Sequence, residues 1–258
     1  MKNKHLKETI QQHEESFQKI FCSTSDFSDT FKKNKNDEIP LMHDHHQFIT
    51  KKQELSESDI IDAREYQKTH GYDFLKIDSR FPLSKELIER FNLEESMTLT
   101  MVHPNKESLL KQLHKNHKVI VKDVQNSSIE QDLLAMDLKN TPADQAKFSK
   151  QFISAFTSKA KKDPRLHFLG AYLNDEICGY CICFDDGNLQ SLDWLLVNEE
   201  SRHQYVASSL MYYAADTSNS ILYLHADAND TPKQMYQKLG FESIDTLYEY
   251  SLTGLKQA

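Results

Sequence analysis

The stretch that decides the fold runs from residue 189 to residue 241. It contains an apolar run at 192–197 (LDWLLV), a polar turn and a segment at 202–211 (RHQYVASSLM), followed by a second apolar run at 221–224 (ILYL) and a closing segment at 235–241 (MYQKLGF). Short apolar runs bounded by turn residues predict strands, and apolar residues at helical spacing predict helices. The predicted order is strand, loop, helix, strand, helix. The first loop therefore leads into a helix N-terminus, where backbone N–H groups and a partial positive charge suit a phosphate.

Two motifs in this stretch carry a resemblance to a known family. Residues 202–207 (RHQYVA) fit the pattern Arg/Gln-x-x-Gly-x-Gly/Ala at a strand-to-helix junction, except that Tyr205 replaces the middle glycine. Asn229, followed by Tyr236 and Gly240-Phe241, fits an Asn followed by Tyr-x-x-x-Gly-Phe. In this order the motifs resemble the acyl-CoA-binding core of the GNAT (GCN5-related N-acetyltransferase) superfamily. The resemblance implies an α/β (α+β) GNAT-like fold, with a mixed central sheet flanked by helices.

The resemblance implies an N-acetyltransferase that moves an acetyl group from acetyl-CoA to a primary amine by direct attack. The CoA pyrophosphate is expected at the N–H groups of the helix start, with added charge from the arginine at the loop entry. The pantetheine arm is expected on the open edge of the preceding strand, paired like an extra strand. The asparagine of the second motif is expected to hydrogen-bond the cofactor. The predicted cofactor-binding residues are Leu195, Leu196, Val197, Arg202, His203, Gln204, Tyr205, Val206, Ala207, Ser208 and Asn229.

Acyl transfer to an amine requires a base that deprotonates the amine and an acid that protonates the departing CoA thiolate. By the resemblance, Tyr236 is the acid. Asp193, on the strand that faces the thioester path, and His225, just after the second strand, are both candidates for the base. A histidine titrates near neutrality and needs little tuning, but the residues alone do not decide between the two.

Tyr205 is the one clear departure from the first motif. A glycine at this position would let the backbone approach a ligand closely. A tyrosine in helical geometry still allows an N–H group to point at a phosphate, so we expect acetyl-CoA binding to be kept. The alternative is a non-catalytic sensor or scaffold that binds acyl-CoA. The identity of the acceptor amine and the oligomeric state stay open.

Composition bounds the class of protein. A chain of 258 residues can hold one large domain or two ordinary ones, and 38% hydrophobic with 27% charged residues is typical of a globular protein. A formal charge of -8 argues against a nucleic acid or an anionic membrane as a partner bound by bulk electrostatics. The polar N-terminus predicts no signal peptide, and no apolar run is long enough for a membrane span. We therefore expect a cytoplasmic protein.

Cysteine and histidine patterns are weak signals of a metal or redox site. The four cysteines are too few for a disulfide framework, and the C-x-x-C spacing lies in a predicted strand without further paired ligands, so we expect buried, inert thiols. Residues 42–46 (MHDHH) invite a metal interpretation, but a polar approach to the next strand is the favoured one. We predict no metal site.

We predict an N-terminal α/β accessory domain at 1–116 and a GNAT domain at 117–258. In the first, the pattern predicts a helix and then a polar loop at 32–37, a helix at 56–70, a strand at 72–78, a short helix at 83–91 and a strand at 97–102. This order permits a degenerate second copy of the GNAT fold. In the second, it predicts a strand at 117–124, two helices, three strands joined by tight turns, a helix at 202–216 and a final strand at 248–252.

Overall fold

The computed structural model describes residues 2–255, and side chains from residue 4 onward. The described helices are α1 (Lys2–Phe21), α2 (Glu57–Thr69), α3 (Lys85–Phe91), α4 (Lys106–Gln112), α5 (Glu130–Asn140), α6 (Ala146–Ala160), α7 (Val206–Thr217) and α8 (Pro232–Lys238). The described strands are β1 (Ser23–Asp26), β2 (Phe31–Lys35), β3 (Phe48–Thr50), β4 (Phe74–Ser79), β5 (Glu94–Val102), β6 (Val119–Asp123), β7 (Leu166–Leu173), β8 (Glu176–Asp185), β9 (Leu189–Val197), β10 (Ile221–Asp227) and β11 (Glu242–Thr253).

The described chain forms two compact units, each built from discontinuous segments. The C-terminal unit contains residues up to 14, 101–225 and 234–244. The N-terminal unit contains residues 15–100, 226–233 and 245 onward. The division into an N-terminal accessory domain at 1–116 and a GNAT domain at 117–258 stays a prediction.

The sheet of the C-terminal unit runs in the order β10-β9-β8-β7-β6. Strands β7, β8 and β9 form the predicted antiparallel meander. The turn between the first two contains Asn174 and Asp175 at φ of 53° and 65°, as expected for a two-residue hairpin turn. Strand β10 pairs with β9 in parallel, because α7 carries the chain back across the sheet.

The N-terminal unit repeats this order of elements. Strands β1, β2 and β3 pair as an antiparallel meander, α2 connects β3 to the parallel strand β4, and β11 pairs with β4. Three strands, a helix, a strand, a helix and a strand thus occur twice along the chain. This repetition agrees with the predicted second copy of the fold.

Some element predictions are wrong. The polar run predicted as a loop at 32–37 lies mostly in β2, where Lys33 and Asn34 are buried. Strand β1 and helix α4 were not predicted. The helix predicted from Arg202 begins four residues later, at Val206, and the residues before it form turns. The remaining predicted strands and helices are present with shifted ends.

Each unit has its own core. In the N-terminal unit the core is rich in aromatic side chains, with Phe31, Phe48 and Tyr250 fully buried. In the C-terminal unit, Ile10 of α1 packs with Val102, Leu189 and Tyr223. Helix α1 therefore covers one face of β9 and β10. Among the described residues, no helix combines the length and the apolar character that crossing a membrane would require.

Candidate functional site

A fork between two parallel strands marks the centre of the C-terminal unit. The paired register of β9 and β10 runs from Leu189 opposite Ile221 to Leu192 opposite Leu224. Beyond this point β9 continues in register with β8 only, with Val197 opposite Gly179. The strand bulges at Trp194, which has a φ of 47°, and the bulge turns the strand away from its parallel neighbour. The edge that was predicted to receive the pantetheine arm, Leu195 to Val197, therefore borders an opening.

The loop after β9 brings the first motif to the start of α7. A single 3-10 turn at Glu199–Ser201 precedes Arg202, and both His203 and Tyr205 adopt left-handed backbone conformations, with φ of 62° and 60°. Tyr205 is the N-cap residue of α7 and is not in helical geometry, contrary to the expectation. A left-handed conformation costs a residue with a side chain about 1–2 kcal/mol, and glycine avoids this cost. Tyr205 therefore adopts a backbone conformation that a glycine would take without this cost.

The first turn of α7 offers backbone N–H groups. The N–H groups of Val206, Ala207 and Ser208 lie where an α-helix provides no intrahelical acceptor, and the Tyr205 side chain makes no capping hydrogen bond. The loop itself is fixed, because Asn116 donates from Nδ2 to the Gln204 carbonyl at 2.9 Å. The side chains of Arg202, His203, Gln204 and Tyr205 are exposed. This arrangement suits an anion such as a pyrophosphate.

A glycine allows α7 to lie close to the sheet. A Cβ atom on Gly179 of β8 would lie 2.8 Å from Cγ1 of Val206 and 3.1 Å from the Leu196 carbonyl oxygen. Any larger residue would therefore push the start of α7 away from the strand that borders the fork. Gly179 therefore allows the first turn of α7 to lie against β8 and the Leu196 carbonyl of β9.

Polar side chains gather where the fork opens. In the parallel register, Ser191 lies opposite Tyr223, and Asp193 and His225 each follow two residues later on the same face. Helix α1 covers this face and adds Glu14, whose Oε1 lies 3.2 Å from Nε2 of His225. The structure therefore brings both candidate bases together and adds a carboxylate that the sequence analysis missed.

A second contact from α1 supports this cluster. Nδ1 of His13 lies 2.8 Å from the Tyr223 hydroxyl, and both side chains are buried. Burial lowers the pKa of His13 and raises that of Tyr223. Burial also raises the pKa of Asp193, and the negative charge of Glu14 adds to the rise. A carboxyl group with a raised pKa holds its proton closer to neutral pH than an exposed one.

Tyr236 lies on α8 and is 6% exposed. Burial raises its pKa to about 12, and the charge of Asp193 contributes to this shift. The helix ends in a left-handed glycine, Gly240, at φ 85°, and Phe241 donates its N–H to the Tyr236 carbonyl at 3.0 Å. The Gly-Phe part of the motif therefore closes the helix that carries the tyrosine. A buried, protonated phenol is a suitable proton donor.

Asn229, the last of the predicted site residues, belongs to the N-terminal unit. Asn229 is exposed in the turn after β10, and its N–H group bonds to the Asp227 carboxylate at 2.7 Å. Its contact with a cofactor stays a prediction.

His13 and Glu14 were missed because no local motif marks them. Their only sequence signal is the apolar spacing of Leu6, Ile10 and His13, which predicts the buried face of α1.

The cysteines and the histidine run have structural surroundings. All four cysteines are buried free thiols, as expected, and burial raises the pKa of Cys178 to about 11. In the N-terminal unit, His45 bonds through Nδ1 to Asn36 at 2.8 Å, and His43 stacks on Phe74. Within residues 4–255, no three His, Cys, Asp or Glu side chains are grouped to hold a metal ion.

Comparison with protein families supports the predicted family resemblance. Residues 164–243 match the acetyltransferase (GNAT) domain. This segment contains the meander, the fork, the loop with Tyr205 and the helix with Tyr236. The predicted resemblance to the GNAT superfamily is confirmed. No protein with a curated functional description matches the chain.

Solved structures are similar over most of the chain. A conserved protein of unknown function from Staphylococcus epidermidis ATCC 12228 has a TM-score of 0.77 at 19% identity, covering 91% of this chain and 95% of its own. A GCN5-related N-acetyltransferase from Kribbella flavida has a TM-score of 0.60 at 11% identity, covering 94% of both chains. A tandem GNAT protein from the clavulanic acid biosynthesis pathway has a TM-score of 0.53 at 10% identity, covering 87% of this chain and 78% of its own. The chain therefore has the GNAT fold, and GNAT-like structure extends into its N-terminal half.

Proposed function

Because residues 164–243 match the GNAT acetyltransferase domain, we propose that the protein transfers an acetyl group from acetyl-CoA to a primary amine. One observation carries the proposal. The fork between β9 and β10 opens at Asp193 and His225, and the uncapped N-terminus of α7 lies at the end of the loop that follows β9. One continuous stretch of chain thus offers a strand edge for the pantetheine arm, N–H groups for the pyrophosphate and side chains that can transfer protons.

The reaction assigns a role to each part. The amine must lose a proton before it attacks the thioester carbonyl, and the base is Asp193 or His225. As the new C–N bond forms, the C–S bond breaks, and the Tyr236 hydroxyl protonates the departing thiolate. The tyrosine regains a proton from the nitrogen that attacked. The loop residues Arg202 to Ser208 and the edge at Leu195 to Val197 bind the cofactor, and Asn229 is its predicted further partner.

Calorimetric titration tests the cofactor site. Acetyl-CoA is titrated into the full-length protein, with CoA and a Tyr205→Gly variant alongside. We expect binding in the micromolar range for the wild type, because the backbone of Tyr205 already has the conformation that a glycine would adopt. If only the Tyr205→Gly variant binds acetyl-CoA, the tyrosine side chain blocks the cofactor site. If neither protein binds acetyl-CoA, the proposal is contradicted.

A second candidate function is the binding of acyl-CoA without catalysis, as a sensor or scaffold. The observation that favours it is Tyr205, a 55% exposed aromatic side chain at the position of the motif glycine. Release of CoA thiol, measured with a panel of amino acids, polyamines and peptides, separates the two functions. Turnover with any amine supports the transferase, whereas tight binding without turnover on the whole panel supports the sensor.

A further inference from the structure

Helix α1 contributes side chains to the face of β9 and β10 that contains Asp193 and His225. Ile10 anchors α1 on Val102, Leu189 and Tyr223, and His13 fixes its rotation through the 2.8 Å contact with the Tyr223 hydroxyl. Glu14 follows His13 and lies four residues after Ile10, so it faces the same surface. Its side chain is 20% exposed and that of His225 is 28% exposed. The pair is therefore largely screened from water, where ion pairs are stronger than at an exposed surface.

The contact selects one form of the histidine. A neutral imidazole carries its proton on one ring nitrogen and accepts a proton on the other. Glu14 Oε1 lies 3.2 Å from Nε2, so its negative charge favours the neutral form that carries its proton on Nε2, and this form presents Nδ1 as its proton acceptor. The carboxylate also stabilises the imidazolium that forms after the proton is taken up.

Asp193 is the other carboxyl group at this face. Burial raises its pKa and the charge of Glu14 raises it further, whereas the charge of His225 lowers it. The ionisable groups around His225 are His13 and Glu14 from α1, Asp193 from β9 and Tyr223 from its own strand. Among these, Glu14 places its Oε1 3.2 Å from Nε2 of the ring.

We propose that His225 is the general base of the transferase and that Glu14, from the N-terminal helix, is the residue that positions it. This inference rests on the proposed function and chooses between its two candidate bases. It also gives the beginning of the chain a part in the chemistry of a domain whose family match starts at residue 164. In the reaction, Nδ1 of His225 takes the proton from the attacking amine while Nε2 stays beside the Glu14 carboxylate.

Titration of His225 tests the pairing without any substrate. Full-length protein labelled with ¹⁵N-histidine is compared as wild type, Glu14→Gln and Glu14→Asp, and the His225 signal is assigned with His225→Gln. We expect Glu14→Gln to lower the pKa of His225 by about one unit or more, since an opposite charge within about 4–6 Å has this effect. Glu14→Asp should retain part of the shift. Glu8→Gln, an exposed glutamate on the same helix, should leave the titration unchanged.

Kinetics then test the role in catalysis. With the amine that gives the fastest CoA release, Glu14→Gln should reduce kcat by roughly 10–100-fold, the usual effect of losing an orienting partner. The ascending limb of the pH profile should move to lower pH by the same amount as the His225 titration, while the KM for acetyl-CoA stays unchanged. Thermal unfolding of Glu14→Gln close to the wild-type temperature would separate this effect from loss of fold.

The outcomes distinguish the inference from the function on which it rests. A wild type that neither binds acetyl-CoA nor releases CoA overturns the proposed function. An active wild type whose His225 titration and pH profile are the same in Glu14→Gln overturns the inference alone. A shift of equal size in Glu8→Gln also overturns it, because the effect would then come from the general field of the helix.

Discussion

The chain forms the same strand-to-helix junction twice and satisfies the two helix starts in opposite ways. In the N-terminal unit, α2 begins after Ser56, whose Oγ accepts a hydrogen bond from the Asp59 N–H at 3.3 Å. The Asp59 carboxylate in turn accepts from the Ser56 N–H at 2.8 Å. In the C-terminal unit, Tyr205 stands at the N-cap of α7 in a left-handed conformation and provides no side-chain cap. A capping box occupies the N–H groups and adds a negative charge, so only α7 is suited to an anionic ligand.

The side chains on the strands beside these two helices also differ. In the N-terminal unit, Phe48 of β3 packs against Phe27, Phe31 and Tyr66, with ring centroids 5.0, 5.5 and 5.9 Å apart. At the fork of the C-terminal unit, the side chains are Asp193 and His225. Aromatic rings thus surround Phe48 in the N-terminal copy, with the Nζ of the buried Lys33 4.8 Å from the Phe48 ring centroid, whereas the C-terminal copy has polar side chains at its fork. Topology alone therefore does not indicate which copy is suited to an acyl-CoA ligand; the residues at the start of each helix do.

The largest expected effect is the loss of the proposed acid. Tyr236→Phe removes the hydroxyl from the C-terminal copy, and we expect kcat to fall by about 10²–10⁴-fold, the usual contribution of general acid catalysis. The affinity for acetyl-CoA should stay within a factor of a few, because the ring remains in place. Tyr66→Phe removes a hydroxyl from the N-terminal copy and serves as the control. Equal loss in both variants, or full turnover of Tyr236→Phe, would contradict the assignment.

Acid should weaken the N-terminal unit before the C-terminal one. Burial lowers the pKa of both His45 and His46 to about 4, whereas unfolded histidines titrate near 6.5. The folded state thus binds these protons less readily, so their stabilisation is present above about pH 6.5 and is lost as the pH falls towards 4. We expect each of the two histidines to lower the free energy of unfolding of this unit by roughly 2 kcal/mol between pH 7 and pH 4.5. Protonation of Asp78, whose pKa burial raises to about 7, offsets part of this loss.

Two optical probes separate the units in this experiment. Circular dichroism follows both units, and the fluorescence of Trp194, the single tryptophan, follows the C-terminal unit. His45→Gln should reduce the acid effect on the dichroism transition and leave the Trp194 transition where it was. If the two transitions move together and His45→Gln changes neither, the buried histidines are not the cause.

A negative charge at the start of α7 should make this uncapped helix start resemble the capped start of α2. Ser208 lies three residues after the N-cap, as Asp59 does in α2. Ser208→Asp should weaken acetyl-CoA binding by about tenfold, because like charges a few ångströms apart repel by about 1 kcal/mol or more. Ser208→Asn, of similar size and without the charge, is the control. Calorimetry that finds equal affinity for all three proteins would show that the pyrophosphate does not lie at this helix.

The sequence predicted the elements that depend on apolar periodicity. The meander at residues 166–197 and the strand-helix-strand unit that follows it were evident because apolar runs and tight turns alternate there. The left-handed backbone of Tyr205 was not predicted, since the tertiary path of the loop imposes it. Strand β2 was missed because its sequence, FKKNK, is polar, although pairing and packing bury Lys33 and Asn34.

The missed part of the site has a different cause. The contact between His13 and Tyr223 joins residues 210 positions apart, and no local spacing encodes such a pair. Motifs of consecutive residues locate cofactor-binding loops well. Proton-transferring groups that come from distant segments become evident only when the fold brings them together.

The smallest expected effect comes from the capped start of α2. Ser56→Ala removes the cap of α2, and we expect the free energy of unfolding to fall by about 1 kcal/mol, the usual value for a lost N-cap. Acetyl-CoA affinity should not change, because this helix start has no part in the proposed site. A measurable gain of anion binding by Ser56→Ala with Asp59→Asn would mean that the capping box is what prevents the N-terminal copy from holding a cofactor. An unchanged affinity would indicate that the aromatic packing around Phe48, rather than the cap, opposes cofactor binding in that copy.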